Sequence, residues 1–170
     1  MSTYSFRKGS PDDAHVLYNL VVERMAWMDG NGIRQWNVTA YLERFPIDYY
    51  VEKQRVGQLY VLVDDTSSKV VCAAVLKEDD DRWPDDGATA LYLHNFASAV
   101  GWHEPVGDIF LHHCSMLALD MRKEYLRLDC AVDNDFLNSY YSQRGYLAAG
   151  FCTHGLYKGV LRQKPLRPQA

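Results

Sequence analysis

The chain has 170 residues, 48% of them hydrophobic and 24% charged, the size and balance of one globular domain rather than of a disordered segment. Its net charge of -4 and pI near 5.8 speak against a nucleic-acid binder, which would carry a basic stripe. No apolar run approaches the roughly 20 residues of a membrane span and the polar start MSTYSFRKGS has no signal-peptide core, so a cytoplasmic protein without membrane contact is expected.

In chain order, alternation over 4–7 predicts a first strand. Ser10-Pro11-Asp12-Asp13 predicts a helix start with Ser10 as cap and Pro11 in the first turn. Val16, Leu17, Leu20 and Val21 carry the helical period toward Met28, and Asp29-Gly30-Asn31-Gly32 breaks it. A second helix is expected over 39–45, closed by Pro46. Segments 58–63 and 69–76 read as a hairpin. They are followed by a polar loop over 78–89 whose acidic run, Glu78 to Asp81, reads as solvated. A strand over 90–98, an amphipathic helix over 108–122, a strand over 126–132 and a short helix over 135–144 stopped by Gly145 come next. Two strands, 147–152 and 156–161, close the domain, and 163–170 reads as a loose tail. Cys72, Cys114, Cys130 and Cys152 show neither zinc nor redox spacing and read as reduced, partly buried small hydrophobes. Hairpins combined with a β-α-β-α-β unit make this an α/β (α+β) domain. That order alone assigns no function.

Three segments carry more. Asn134, Tyr141 and Gly145 lie within Asp133-Asn134 and Tyr140-Tyr141-Ser142-Gln143-Arg144-Gly145-Tyr146. Leu91-Tyr92-Leu93-His94-Asn95-Phe96-Ala97 precedes the loop Trp102-His103-Glu104-Pro105-Val106-Gly107. Trp27, Gly32-Ile33-Arg34-Gln35-Trp36 and Asp80-Asp81-Arg82-Trp83-Pro84-Asp85 complete the set. Through these residues most of the chain resembles the GNAT N-acetyltransferases, and in particular a bacterial subgroup with a G-I-x-Q-W element. The first segment matches the family's strand-end Asn, helix-borne Tyr and Gly-aromatic pair. The second matches its central strand before the CoA loop.

The resemblance implies the GNAT fold, with a mixed central sheet of six to seven strands flanked by about four helices, as one domain over 1–170. It also implies acetyl-CoA as co-substrate, no metal, and direct transfer of acetyl to an amine on a small molecule or peptide through a ternary complex; it leaves room for a homodimer. Phe96, Ala97, Ser98, Trp102, His103, Glu104, Pro105, Val106, Gly107, Asp108, Asn134 and Tyr141 are then expected to contact CoA. Trp27, Gln35, Trp36 and Tyr157, together with Tyr49 and Tyr50, are expected to wall the acceptor site. The CoA loop departs from the family's Q/R-x-x-G-x-G/A: only Gly107 survives, Pro105 has no N–H to donate, and Glu104 and Asp108 bring negative charge toward a diphosphate.

Acyl transfer from a thioester to an amine needs a proton acceptor for the amine, a donor for the oxyanion and an acid for the thiolate. Tyr141, whose hydroxyl the resemblance places beside the CoA sulfur, is expected as that acid, the ordinary alternative being an aromatic core residue. His94 is expected as the base, with Tyr92 two residues before it on the same strand face; the alternative is a satisfied core-side histidine. His112-His113-Cys114 points in diverging directions on a helix and reads as ordinary helix residues. Two further functions stand beside the enzyme: a GNAT-fold binding or regulatory module with a degenerate CoA loop, and an unrelated small α/β ligand sensor.

Overall fold

The computed structural model describes residues 3–167. Seven strands form one mixed sheet: β1 (Tyr4–Lys8), β2 (Leu59–Asp64), β3 (Lys69–Lys77), β4 (Ala90–Ser98), β5 (Tyr125–Ala131), β6 (Leu147–His154) and β7 (Tyr157–Pro165), in the order β1-β2-β3-β4-β5-β7-β6. Five α-helices accompany it, α1 (Asp13–Gly30), α2 (Tyr41–Arg44), α3 (Ile47–Arg55), α4 (Val106–Asp120) and α5 (Asp135–Gln143), with a short 3-10 turn at Trp36–Val38. Alternation along the strands splits the core in two. Val61, Ala73 and Val75 face Leu17, Val21 and Tyr50 of α1 and α3. Leu62, Cys72 and Ala74 face Phe110, Leu111 and Cys114 of α4. No described helix is long and apolar enough to cross a membrane.

Four expectations need correction. Ser10 does not cap α1. Its backbone N–H and hydroxyl instead donate to the Asp13 carboxylate at 2.7 and 2.9 Å, which Arg7 also holds at 2.7 Å. Pro46 does not merely end a helix: it sits, extended, at the N-cap of α3, whose Asp48 at the start and Lys53 and Arg55 at the end match the helix dipole. Of the span expected as one helix over 39–45 only the single turn α2 is helical, and the 3-10 turn lies just before it. The tail is not loose from residue 163, because β7 pairs with β5 as far as Tyr125 and Pro165, and Leu166 N–H donates to Glu124 O at 2.9 Å; residues 168–170 lie outside the described residues.

Two irregularities shape the centre of the sheet. β4 carries a bulge between the pairs Ala73–Ala97 and Val75–His94, where Asn95 adopts φ 54°. A left-handed residue in a strand is uncommon, and asparagine tolerates it better than most. Its carboxamide is held on both sides: Nδ2 donates to Tyr41 Oη at 2.6 Å and Oδ1 accepts from Tyr49 Oη at 2.9 Å. The second irregularity is the pairing of β4 with β5, parallel only over Ala90–Tyr92 and Tyr125–Arg127. Beyond that point the two strands part.

Candidate active site

The fork between β4 and β5 opens into a cleft of about 480 Å³. Its walls are the outer half of β4, the end of α1, the 33–36 loop, α2, the start of α4, the second half of β5 and one face of α5. Of the residues expected at the site, Trp27, Gln35, Trp36, His94, Phe96, Ala97, Ser98, Trp102, Glu104, Pro105, Val106, Gly107, Asp108, Asn134, Tyr141 and Tyr157 all line it.

Four do not. Tyr92 lies beneath the fork, its ring against Trp83 and its hydroxyl accepting from the fully buried Arg127 at 3.2 Å. Sharing a strand face with His94 is not enough, because one pleat step separates the last paired residue from the first that faces the opening. His103 is exposed, 3.6 Å from Glu104. Tyr49 and Tyr50 pack behind α2, where Tyr49 supports Asn95 and the Tyr50 ring meets Tyr18.

At the base of the fork stands a network that local sequence does not announce. Asp80 and Arg82 come from the 78–89 loop, His94 from β4, Asp129 from β5 and Tyr157 from β7. His94 Nε2 lies 3.1 Å from Asp80 Oδ2, and Arg82 Nη2 contacts His94 Nδ1. Arg82 also reaches Asp80 at 3.2 Å and Asp129 at 3.1 Å, and Tyr157 donates to Asp129 at 2.6 Å. Arginine cannot accept a hydrogen bond, so Nδ1 must accept and Nε2 must carry the proton toward Asp80. Burial, with Arg82 adjacent, lowers the His94 pKa despite Asp80, which keeps the ring neutral. Its one lone pair is therefore already engaged. Burial opposes the Asp80 charge, but His94 and Arg82 hold its carboxyl well below the usual range. Asp80 is accordingly no part of a solvated acidic run: its side chain is 3% exposed. Ligand-type atoms of Asp80, His94 and Asp129 lie within 4.8 Å of one another, and the cation that binds both carboxylates is the Arg82 guanidinium.

Tyr141 is buried, with burial pushing its pKa well up, and presents to the cleft from α5. Asn134 caps α5, accepting from Leu137 N–H at 3.0 Å, while its Nδ2 donates to Gln35 Oε1 at 2.6 Å. The strand-end asparagine and the Gln35 loop are thus one unit.

Comparison with known proteins places this architecture. No protein-family model matches the sequence. A curated relative, the uncharacterized N-acetyltransferase YesJ of Bacillus subtilis (strain 168), is 27% identical over 151 residues, covering 86% of this chain and 83% of its own. A GNAT-family acetyltransferase from Listeria monocytogenes superposes with a TM-score of 0.77 at 20% identity, over 95% of this chain and 94% of that one. The PaiA N-acetyltransferase of Thermoplasma acidophilum, solved with coenzyme A, superposes with a TM-score of 0.71 at 16% identity, over 96% and 99%. The chain has the fold of the GNAT acetyltransferases.

For a GNAT fold, the start of α4 is the expected diphosphate cradle. Gly107 is suited to it: a Cβ there would meet Tyr140 Oη at 3.1 Å. The turn into α4 bonds partly to itself, since Val106 N–H bonds Glu104 O at 2.8 Å and Asp108 and Ile109 N–H bond Pro105 O at 3.0 and 3.3 Å. The two carboxylates of this region are both engaged within the protein. Arg144 grips Asp108 with two bonds of 2.6 and 2.9 Å, and Tyr140 donates to the same carboxylate. Glu104 accepts from Tyr4 at 2.6 Å. Arg144, paired with Asp108, also lines the cleft. Sequence reasoning missed Arg24, Arg44, Arg82, Asp129 and Arg144, of which Arg82 and Arg144 fell inside segments it had singled out.

Proposed function

We propose that the chain is an acetyl-CoA-dependent N-acetyltransferase that moves the acetyl group directly to an amine within a ternary complex. The reading rests on the fork, where unpaired β4 backbone, the α4 start and the Tyr141 hydroxyl converge on one cleft. Gly107, Arg144 and the outer half of β4 hold the CoA moiety, which supplies an activated thioester. Backbone N–H groups of β4 beyond the fork are the candidate donors for the developing oxyanion. Tyr141 gives its proton to the departing sulfur as the carbon–sulfur bond breaks and the carbon–nitrogen bond forms. Asp129 holds the amine and takes up its proton in place of His94, whose one lone pair is engaged by Arg82. Trp27, Gln35, Trp36 and Tyr157 wall the acceptor end, and no metal is required. The protein acts as a single cytoplasmic domain. A second copy would have the edge strand β6 to pair with, where Leu147 and Phe151 are exposed.

Acetyl-CoA is expected to raise the melting temperature, since a ligand that binds only the folded state stabilises it by mass action. Release of free thiol over an amine panel then tests transfer. No melting shift at millimolar acetyl-CoA would instead favour a binding or regulatory module, the reading that the self-bonded 104–109 turn supports. The loop has its own test. Pro105→Gly returns one N–H to the turn and is expected to tighten acetyl-CoA binding on the order of ten-fold, less so in high salt. Calorimetry at two salt concentrations reads it, and unchanged affinity would mean that Arg144 and Gly107 already suffice.

A further inference from the structure

Two arginines on the cleft wall have no acid to pair with among the described residues. Arg44, on α2, makes no side-chain hydrogen bond or ion pair there; its Nε is buried without a partner and its guanidinium lies 5.2 Å from the Phe45 ring centre. Arg24, on α1, hydrogen-bonds only through Nη2, at 2.9 Å from Ser98 O and 3.0 Å from Ser98 Oγ, and its guanidinium lies 4.9 Å from the Trp27 ring centre. Both line the cleft. A guanidinium keeps its charge and offers five N–H donors in a planar fork that fits a carboxylate. An unpartnered, buried N–H of this kind calls for an anion that arrives with a ligand.

The opposite end of the same compartment has the opposite sign. Asp80 and Asp129 carry two negative charges against the single positive charge of Arg82, and His94 is neutral. Asp129 faces the opening. Tyr41 ties the two ends together. It stands one turn before Arg44 on α2, its ring lies 4.8 Å from Phe45, and the Asp129 charge is felt at its hydroxyl.

We infer that the acceptor is an amine that also carries a carboxylate, an amino acid or amino-acid-like molecule, with its ammonium toward Asp129 and its carboxylate toward Arg44. This rests on the acetyltransferase reading of the cleft. A polyamine would bring further positive charge against Arg24 and Arg44, and a plain aralkylamine would leave the buried Nε of Arg44 unanswered. A site built around a polar partner rejects an analogue lacking it far more strongly than it rejects a change in apolar size.

Matched pairs that differ only in the carboxylate test the inference: tryptophan with tryptamine, phenylalanine with phenethylamine, lysine with cadaverine. Calorimetry on the full chain reads binding, and acetyl-CoA-dependent thiol release reads transfer. At least one carboxylate-bearing member is expected to bind roughly ten- to a hundred-fold tighter than its partner. Arg44→Gln should erase that preference while leaving acetyl-CoA affinity unchanged, and Arg44→Lys should restore part of it. Should Arg44→Gln fail to melt cooperatively, Arg44→Lys and Arg24→Gln carry the comparison. Equal binding within every pair, preference for the decarboxylated member, binding of neither, or a preference that survives loss of the Arg44 charge would each overturn the inference. Because binding is read without turnover, a carboxylate preference with no thiol release would sink the acetyltransferase reading alone. Turnover confined to decarboxylated amines would sink only this one.

Discussion

Tyr141→Phe is expected to slow turnover by about two orders of magnitude or more while acetyl-CoA affinity and melting temperature stay near wild type. The Tyr141 hydroxyl has no hydrogen-bond partner within the protein among the described residues, so its removal breaks no structural bond, and the ring keeps its edge contacts with Tyr140 and Tyr146 at 5.3 and 5.5 Å. Burial holds its pKa well above the ordinary value, so the phenol stays protonated across neutral and mildly alkaline pH. A thiolate formed in the same dry surroundings is raised for the same reason. The adjacent Tyr140 is the control. Its hydroxyl is committed to Asp108, and its ring lies under Arg144 at 3.5 Å. Tyr140→Phe should therefore raise the KM for acetyl-CoA and leave kcat nearly intact. Steady-state kinetics of the two variants, with amine saturating, decides the assignment. Equal kcat for wild type and Tyr141→Phe would remove Tyr141 from proton transfer.

Asp80→Asn is expected to lower the melting temperature by about 10 °C, since breaking a buried, hydrogen-bonded ion network by removing one charge costs about 3–5 kcal/mol and each kcal/mol moves a domain of this size by about 2–4 °C. The loss leaves Arg82 short of a counter-charge and His94 short of its acceptor. The pH dependence follows from direction. The folded-state pKa of Asp80 is depressed, so its contribution is complete above the unfolded value near 3.9 and is lost as pH falls through the folded value. The gap between wild type and variant should stay constant from about pH 5 to 8 and close progressively below about pH 4. Melting curves across that range read it. A variant as stable as wild type at pH 7 would show that the network serves the cleft and not the fold.

The order of elements and the identity of most cleft residues could be read from the chain because they rest on local signals: alternation, helical period, and the Asn134, Tyr141, Gly145 spacing. What escaped was non-local. Asp80 and Arg82 sit in a run that looks solvated by composition, and only their approach to His94 and Asp129, from two separate strands, makes them buried. Tyr92 and His94 are equivalent by strand parity. They differ because β4 and β5 separate just after Tyr92, and no residue type marks that separation. α3 is within reach of the sequence, since Asp48 near its start and Lys53 and Arg55 near its end are helix-end signals, and a proline such as Pro46 begins helices as well as ending them. Arg44 could not have been singled out at all, because a lone arginine on a polar helix turn shows its lack of a partner only once its neighbours are in place.

The parting of β4 and β5 leaves the sheet with two interior edges. Edges of this kind are normally confined to the outermost strands, where they invite pairing with whatever extended chain comes near. Here they face each other across a cleft too wide for them to bond, so the most deeply placed strands hold some of the least protected backbone. Amide hydrogen exchange should register that inversion. Leu126 and Leu128, paired to β7 at Lys164 and Arg162, should exchange slowly, while cleft-facing amides of β4 beyond His94 exchange early, as expected of backbone whose bonds are incomplete. A ligand with amide groups of its own, laid along that edge, would supply the missing ladder and slow those amides selectively.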